Sequence, residues 1–573
     1  MSDFSYNTPD YWLQEINNAE QWKREQSQEQ DFEKFQKWYK HDYPNPDHPH
    51  FNLIYMLGSS LVPNIMFQRP SIIHTARRPE YNIIAGIFDG LLNFVFDEME
   101  MELDMQNGVL AAFLQNTVAF ELGYDFPEEH PIGDMTFNPI HGVSDRARKT
   151  NLPWLSAVPA DQFLVASGTK NVRNCPWYAR FVVLPTETLK RLAETNKEIH
   201  KNRIVATQIP KERLQSKSLS WMERQASTRE YTAFWHFHEQ ELGQEFWLDT
   251  NGKVIMGPRE DPLQVDGLPV EFLQLNDDVQ SIWGTPDPHI VRSQHAEGDE
   301  LRKDWRQQRR NSATKILARS GVFSPEMISK LMDSEPTPII EIDLAGAAEK
   351  LSDVMETVDL SPKLEWENYA KFLLNDAQLL TGQGPNQQGT FASGRRTAKE
   401  VGIVDENNLL RTGFRRNKIG KVIERLGTRV DKLIAQNWTA DVVVKVLGVE
   451  GTFHYVKAKP QEFAELTSEI VTKVNVESLA PVSKDRRRSE IIEVLKILPK
   501  IQGANIMPLV QKLLSTFEWA EVQGILPTAN EATQDPQQFQ QSQNAQLADP
   551  NLGNQAAGNL GPLAAANGAT GGQ

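Results

Sequence analysis

The sequence predicts an α+β protein, mostly helical, and three observations carry that reading. Strand-type signals gather between about residues 150 and 275, with a short second cluster at 440–457. Elsewhere apolar residues recur at helical spacing. No internal repeat points to a solenoid or propeller.

Residues 1–50 set Tyr11, Trp12, Trp22, Phe32, Phe35, Trp38 and Tyr39 among Gln and Glu. That composition predicts a helical arm that must lean on another surface. His41–His50, with three prolines, reads as a loop. Helices are predicted over 52–67 (interrupted by Pro63), over Tyr81–Met101 with apolar residues at 84, 87, 91, 92, 95 and 96, and over Val109–Leu122. Strands are expected at Phe163–Ala166, Phe181–Leu184 and Tyr231–His238. Asn251-Gly252 between two apolar runs predicts a hairpin over Glu245–Met256. Ile290–Arg319 reads as one helix broken only by Gly298. A Pro-containing insert follows, with an apolar run at Ile339–Ile342. Residues 363–380 are predicted helical, with Trp366, Tyr369, Leu373, Ala377 and Leu380 on one face. After a Gly/Gln/Ser stretch, Thr381–Gly394, comes a very long helix over Arg395–Trp438. Its apolar residues fall at 419, 422, 423, 426, 430, 433 and 434. Val442–Val444 and His454–Val456 read as strands. Ser483 reads as the N-cap of a helix over 484–498, and Leu509–Phe517 as a last helix. From Thr528 the chain is mostly Gln, Asn, Ala and Gly, the composition of a disordered tail.

Composition narrows the function classes. One cysteine in 573 residues excludes a disulfide framework and a multi-thiolate metal site. A net charge of −16 argues against a broad basic surface that grips nucleic acid. The N-terminus lacks a basic-then-apolar signal segment. The longest apolar stretch, Ile83–Phe96, is too short to span a bilayer. A soluble intracellular protein without membrane contact is the expectation.

Catalytic motifs are near misses. Gly389–Thr397 has the glycine spacing of a phosphate-binding loop. Arg395 stands where its Lys should be, and Arg396 where the Mg²⁺-binding hydroxyl should be. His236 and His238 share a strand face with Glu239 and Glu241 close by, but no later His pattern completes a set. A polar strand face is the simpler reading, and no metal is expected. His41, His48 and His50 sit in a loop, and Cys175 reads as a packed small hydrophobe. No catalytic residue and no cofactor is predicted. In the helix after residue 290, Arg302, Arg306, Arg309 and Arg310 share one face. Such a face could contact nucleic acid, but is more often solvated or paired with a neighbour's acids. A helix polar nearly all round needs neighbours in an assembly or many side-chain pairs. Gly413, Gly420 and Gly427 recur every seven residues, which implies either a close backbone approach or a kink.

This order of elements resembles the portal proteins of tailed bacteriophages, short-tailed-phage type. Trp283-Gly284-Thr285-Pro286-Asp287-Pro288, followed by Gln294, Glu297 and the Arg-rich helix, looks like the start of the first portal stem helix. Arg396-Thr397-Ala398-Lys399-Glu400 looks like the Thr-Ala-x-Glu pattern that precedes the long helix. The paired helices around Leu91–Glu102 and Val109–Gly123 also look portal-like. The resemblance covers roughly residues 50–525.

The resemblance implies an N-terminal arm (1–50), a wing (51–287), a first stem helix (288–318), a clip (319–360), a second stem helix (361–381) and a tunnel loop (382–394). A long wing helix with strands (395–460), a crown (461–527) and the tail (528–573) complete the chain. It implies a dodecameric ring at one capsid vertex, assembled in the host cytoplasm and carried in the virion. Double-stranded DNA would pass through the channel during packaging and ejection. Partners would be the terminase large subunit, the major capsid and scaffold proteins and the tail adaptor proteins. Channel-loop candidates are Gln383, Asn386, Gln387, Gln388, Thr390, Arg395 and Arg396. Stem candidates are Arg302, Arg306, Arg309 and Arg310, and partner-binding clip candidates are Phe323, Met327, Lys330 and Glu335. The alternative is an NTPase or nuclease accessory of DNA packaging that uses Gly389–Thr397. Twelve copies would carry about −190 formal charges, which disfavours tight trapping of sliding DNA.

Overall fold

The computed structural model describes residues 8–43, 50–66, 70–126, 152–195, 198–207, 230–311 and 365–383, the helix and strands between 398 and 475, and short pieces elsewhere. These fall into two compact units. One comprises Met1–Lys445 with Tyr455–Pro481, the other Val446–His454 with Val482–Gln573. In the second unit, residues 491–496 are helical. The helices and strands up to Asn437 and the strand Ile470–Asn475 belong to the first unit.

The architecture is mixed helix and strand, with more helix. Helix α1 (Pro9–Gln26) opens with Pro at its first position and with the Thr8 hydroxyl accepting from Tyr11 N. It is followed by α2 (Glu29–Tyr39) and α3 (Leu53–Ile65). Strand β1 (Ser71–Ala76) precedes α4 (Asn82–Glu98) and α5 (Met101–Gln115). Strands β2 (Thr117–Tyr124), β3 (Pro153–Pro159), β4 (Phe163–Val165) and β5 (Trp177–Pro185) lead to α6 (Thr186–Thr195). Strands β6 (Tyr231–Glu239), β7 (Gln244–Asp249), β8 (Val254–Glu260) and β9 (Val270–Gln274) complete the sheets. After a turn of helix at Asp287–Ile290 come α7 (Arg292–Asn311), β10 (Lys315–Ala318), β11 (Met355–Val358) and α8 (Glu365–Thr381). The 40-residue α9 (Ala398–Asn437) is followed by β12 (Val442–Leu447), β13 (Phe453–Ala458) and β14 (Ile470–Asn475).

Two antiparallel sheets form the body. One has the order β4-β5-β6-β7-β8, the other β3-β2-β9. Strand β6 is buried on both faces, and its alternation sorts two cores. Ala233, Trp235 and Phe237 pack with Phe181, Phe246 and Leu248 against Trp12, Ile16 and Ala19 of α1. The predicted arm therefore leans on the five-stranded sheet. Phe234 on the other face packs with Val182, Trp247, Met256 and Leu189 of α6. The predicted hairpin joins β7 to β8, with Gly252 at φ +80° where a side chain would be strained.

Helix α9 fastens the body. All seven predicted apolar positions are buried. Its other stripe is cationic: Arg415, Lys418, Arg425, Arg429 and Lys432 recur at helical spacing. They meet Asp287, Asp277, Glu271 and Asp266, which lie in and around β9 and at the start of the following helical turn.

Four expectations are corrected. The helix predicted over Val109–Leu122 ends at Gln115. Asn116 adopts φ 67°, and Thr117–Tyr124 is the central strand of its sheet, buried on both faces. A strand buried on both faces has no period-2 signal to separate it from buried helix. The helix predicted to Arg319 stops at Asn311, because residues 315–318 pair antiparallel with 355–358. On α8, Leu373 and Ala377 are buried, but Tyr369 and Leu380 are exposed, so the expected single apolar face is divided. Among these glycines, Gly427 is closely approached, by Thr472 and Leu92. Gly413 has open space, and α9 runs unbroken through all three.

Candidate functional site

The Trp283–Pro288 segment that sequence singled out is a tightly fastened corner. Trp283 is buried. A Cβ on Gly284 would overlap the Asn116 side chain and the Asn276 carbonyl. Asn116 brackets Asn276, accepting from its N–H at 2.9 Å and donating to its carbonyl at 3.0 Å. Asn276 Nδ2 donates in turn to Thr285 O (2.8 Å) and Asp287 Oδ1 (2.7 Å). Arg415 of α9 closes the corner. Nη1 reaches Asp287 Oδ2 at 2.8 Å, and Nη2 reaches Asp287 Oδ1 at 2.9 Å and Asn276 Oδ1 at 3.0 Å. A two-point guanidinium–carboxylate pair on a carboxylate only 1% exposed is strong and directional. Sequence reading missed Arg415, Asn276 and Asn116. The only available signal was Arg415 opening the cationic stripe of α9.

Beyond this corner the chain runs along α7, through the β10–β11 pair, and back along α8. Helix α7 is about 30 Å long, and ten of its twenty residues are charged. Tyr369 Oη donates to Glu297 at 3.3 Å between the two helices. The start of α7 is clamped by the loop that precedes α3. Phe51 N donates to Asp299 Oδ1 at 2.5 Å, and the Phe51 ring covers Gly298 so closely that a Cβ there would overlap it.

The structure divides the four stem candidates. Arg302 donates to the His50 carbonyl at 2.6 Å and lies over the Phe51 ring, so it packs against its own chain. Arg306 and Arg309 lie farther along α7, and Arg310 occupies the next helical position. Trp305, Tyr369, Phe372, Leu379 and Leu380 of the helix pair are 42–63% exposed. Gln383, expected to face a channel, is instead buried. Its Oε1 accepts from Ser60 Oγ at 2.5 Å, which anchors the end of α8 to α3. Asn386, Gln387, Gln388, Thr390, Arg395 and Arg396 lie outside the described residues, as do Phe323, Met327, Lys330, Glu335, the Gly389–Thr397 motif, Ile339–Ile342, Ser483 and the tail from Thr528.

Other singled-out residues have packing partners. The Cys175 thiol is buried, donates to Trp177 O at 3.0 Å, and is pushed by burial up to about 12, as a packed hydrophobe. The His50 ring stacks on Tyr43, and that of His41 lies against Tyr55. His236 and His238 share a face as predicted. That polar face is buried between the two sheets. Glu239 is turned away, accepting from the N–H groups of Glu241 and Leu242.

A cavity of about 690 Å³ opens beside α9, lined among others by Arg173, Asp266, Glu271, Arg425 and Arg429. Its charges are largely paired with one another. Among the described residues no helix is long and apolar enough to cross a membrane. No family model matches the chain, and no curated protein matches it either.

Proposed function

We propose that the chain is a portal protein of a tailed bacteriophage. In this reading it forms a dodecameric ring at one capsid vertex, conducts double-stranded DNA during packaging and ejection, and docks the terminase large subunit and later the tail adaptors. One observation carries the reading most: a charged helix pair, α7 and α8, is locked at its base by Asp287–Arg415 and leaves Trp305, Tyr369, Phe372, Leu379 and Leu380 exposed. A helix as polar as α7, paired with α8 so that aromatic and Leu side chains stay exposed, is suited to lateral packing against copies of itself. Around DNA, the net charge of −16 per chain would favour sliding over retention.

The test is direct. Negative-stain images and native mass spectrometry of the purified chain are expected to give rings of about a dozen subunits with a central channel. A chain that stays monomeric at every salt and protein concentration overturns the proposal.

A further inference from the structure

Between the two sheets lies a buried cluster that the proposed function does not use. Glu121 projects from β2 of the three-stranded sheet. Facing it from the five-stranded sheet are Tyr178 and Arg180 of β5, His236 and His238 of β6, and Glu245 of β7. The register places Arg180 opposite His236, and Tyr178 and Glu245 opposite His238. Ligand atoms of Glu121, His236 and His238 lie within 4.8 Å of one another, and all three residues are buried. A cavity of about 30 Å³ is lined by these three together with Glu245, Tyr124 and Trp154. That is enough room for a water molecule.

Each of the three side chains is tethered through one atom and keeps another. Tyr178 Oη and Arg180 Nη1 both donate to Glu121 Oε2, at 3.1 Å, and leave Oε1. Nε2 of His236 faces Glu245 Oε2 at 3.2 Å, while its Nδ1 is buried without a hydrogen-bond partner. Nδ1 of His238 faces Asp261 Oδ2 at 2.8 Å and leaves Nε2. An imidazole held by a carboxylate through one nitrogen, with the other nitrogen bare, is the arrangement that orients histidine toward a metal. Arg259 in turn holds Glu245, with Nε donating to Oε1 at 2.6 Å.

We propose that Glu121, His236 and His238 bind one divalent transition-metal ion of the zinc class, with Glu245 and Asp261 as positioning residues. Two imidazoles and one carboxylate are a donor set that Zn²⁺ accepts, and the fourth position falls to water in the small cavity. Because Glu121 comes from one sheet and the histidines from the other, the ion ties the two sheets together.

The experiment uses the full-length chain, stripped with a chelator and re-equilibrated with Zn²⁺ or Co²⁺. The expected result is one ion per chain retained through gel filtration, with ligand-field absorption from bound Co²⁺. His238→Ala is expected to abolish retention. The conservative Asp261→Asn, which keeps its volume, is expected to weaken binding about 10–100-fold. His41→Ala, outside the cluster, is expected to leave binding unchanged. A folded, stripped chain that retains no stoichiometric ion overturns the proposal and leaves a salt-bridged polar cluster. So does uptake that Asp261→Asn and His238→Ala both leave unchanged.

Discussion

His74 offers a measurable consequence of burying a cation in the body. Its Nδ1 lies 2.8 Å from Asp89 Oδ1 of α4, and its Nε2 lies 2.8 Å from Asp431 Oδ2 of α9. Carboxylate oxygens at both ring nitrogens favour an imidazolium that donates through both, even though burial raises the Asp431 carboxyl above its ordinary value. Thr472 of β14 donates to the same Asp431 oxygen, and the His74 N–H donates to Asp89. Burial opposes the charge on His74, but Asp431 and Asp89 outweigh it and raise the group from 6.5 to about 9. A raised folded-state value means that the stabilisation is fully present below about pH 6.5 and is lost as pH climbs through about 9. The whole interval is worth at most about 3 kcal/mol. Because so large a chain does not unfold in one step, the readout is local. Hydrogen exchange of peptides covering β1 and β14, corrected for the intrinsic pH dependence, should lose about a hundredfold protection between pH 6 and 9.5. Asp431→Asn removes one of the two carboxylates and should flatten that profile. An unchanged profile in Asp431→Asn would refute the reasoning.

Three further outcomes follow from close approaches and buried charge. Gly413→Ala should raise the melting temperature, gaining about 1 kcal/mol of helix propensity in open space. Gly284→Ala should lower it, at a cost of about 1–3 kcal/mol, because the Asn276 carbonyl cannot move aside. Arg415→Met leaves Asp287 buried without its cation and should cost about 3–5 kcal/mol, read as lost hydrogen-exchange protection of peptides around Trp283–Pro288, with Arg415→Lys recovering only part.

Legibility in the sequence tracked how local the determining physics is. The apolar positions of α9 were readable because one helix face alone decides them. The β7–β8 hairpin was readable because Asn251-Gly252 demands a turn. Strand β2 was not, since burial on both faces erases the alternation that marks a strand. The end of α7 was not, since it is set by pairing with residues 355–358, about forty positions away. The site divided in the same way. Trp283–Pro288 stood out as a motif, but its partner Arg415 is 128 residues from Asp287. The histidine pair was visible, but Glu121 and Asp261, which give it chemical meaning, belong to other segments.

The exposed side chains of the α7–α8 pair bear directly on the proposed ring. Each of the five is 42–63% exposed. Fully burying such a side chain is worth about 1.5–3 kcal/mol, so completing the burial of all five would contribute on the order of 5 kcal/mol per subunit. That alone is too little for a tight dimer, because association carries a comparable entropic penalty. A closed ring gives every subunit two such contacts, so closure makes the assembly cooperative where a single contact is weak. The double variant Phe372→Asp/Leu379→Asp should therefore abolish rings in native mass spectrometry. The melting temperature of the isolated chain should change little, because neither side chain is in its core. Rings that persist in this variant would remove the helix pair from the interface and with it the main support for the portal reading.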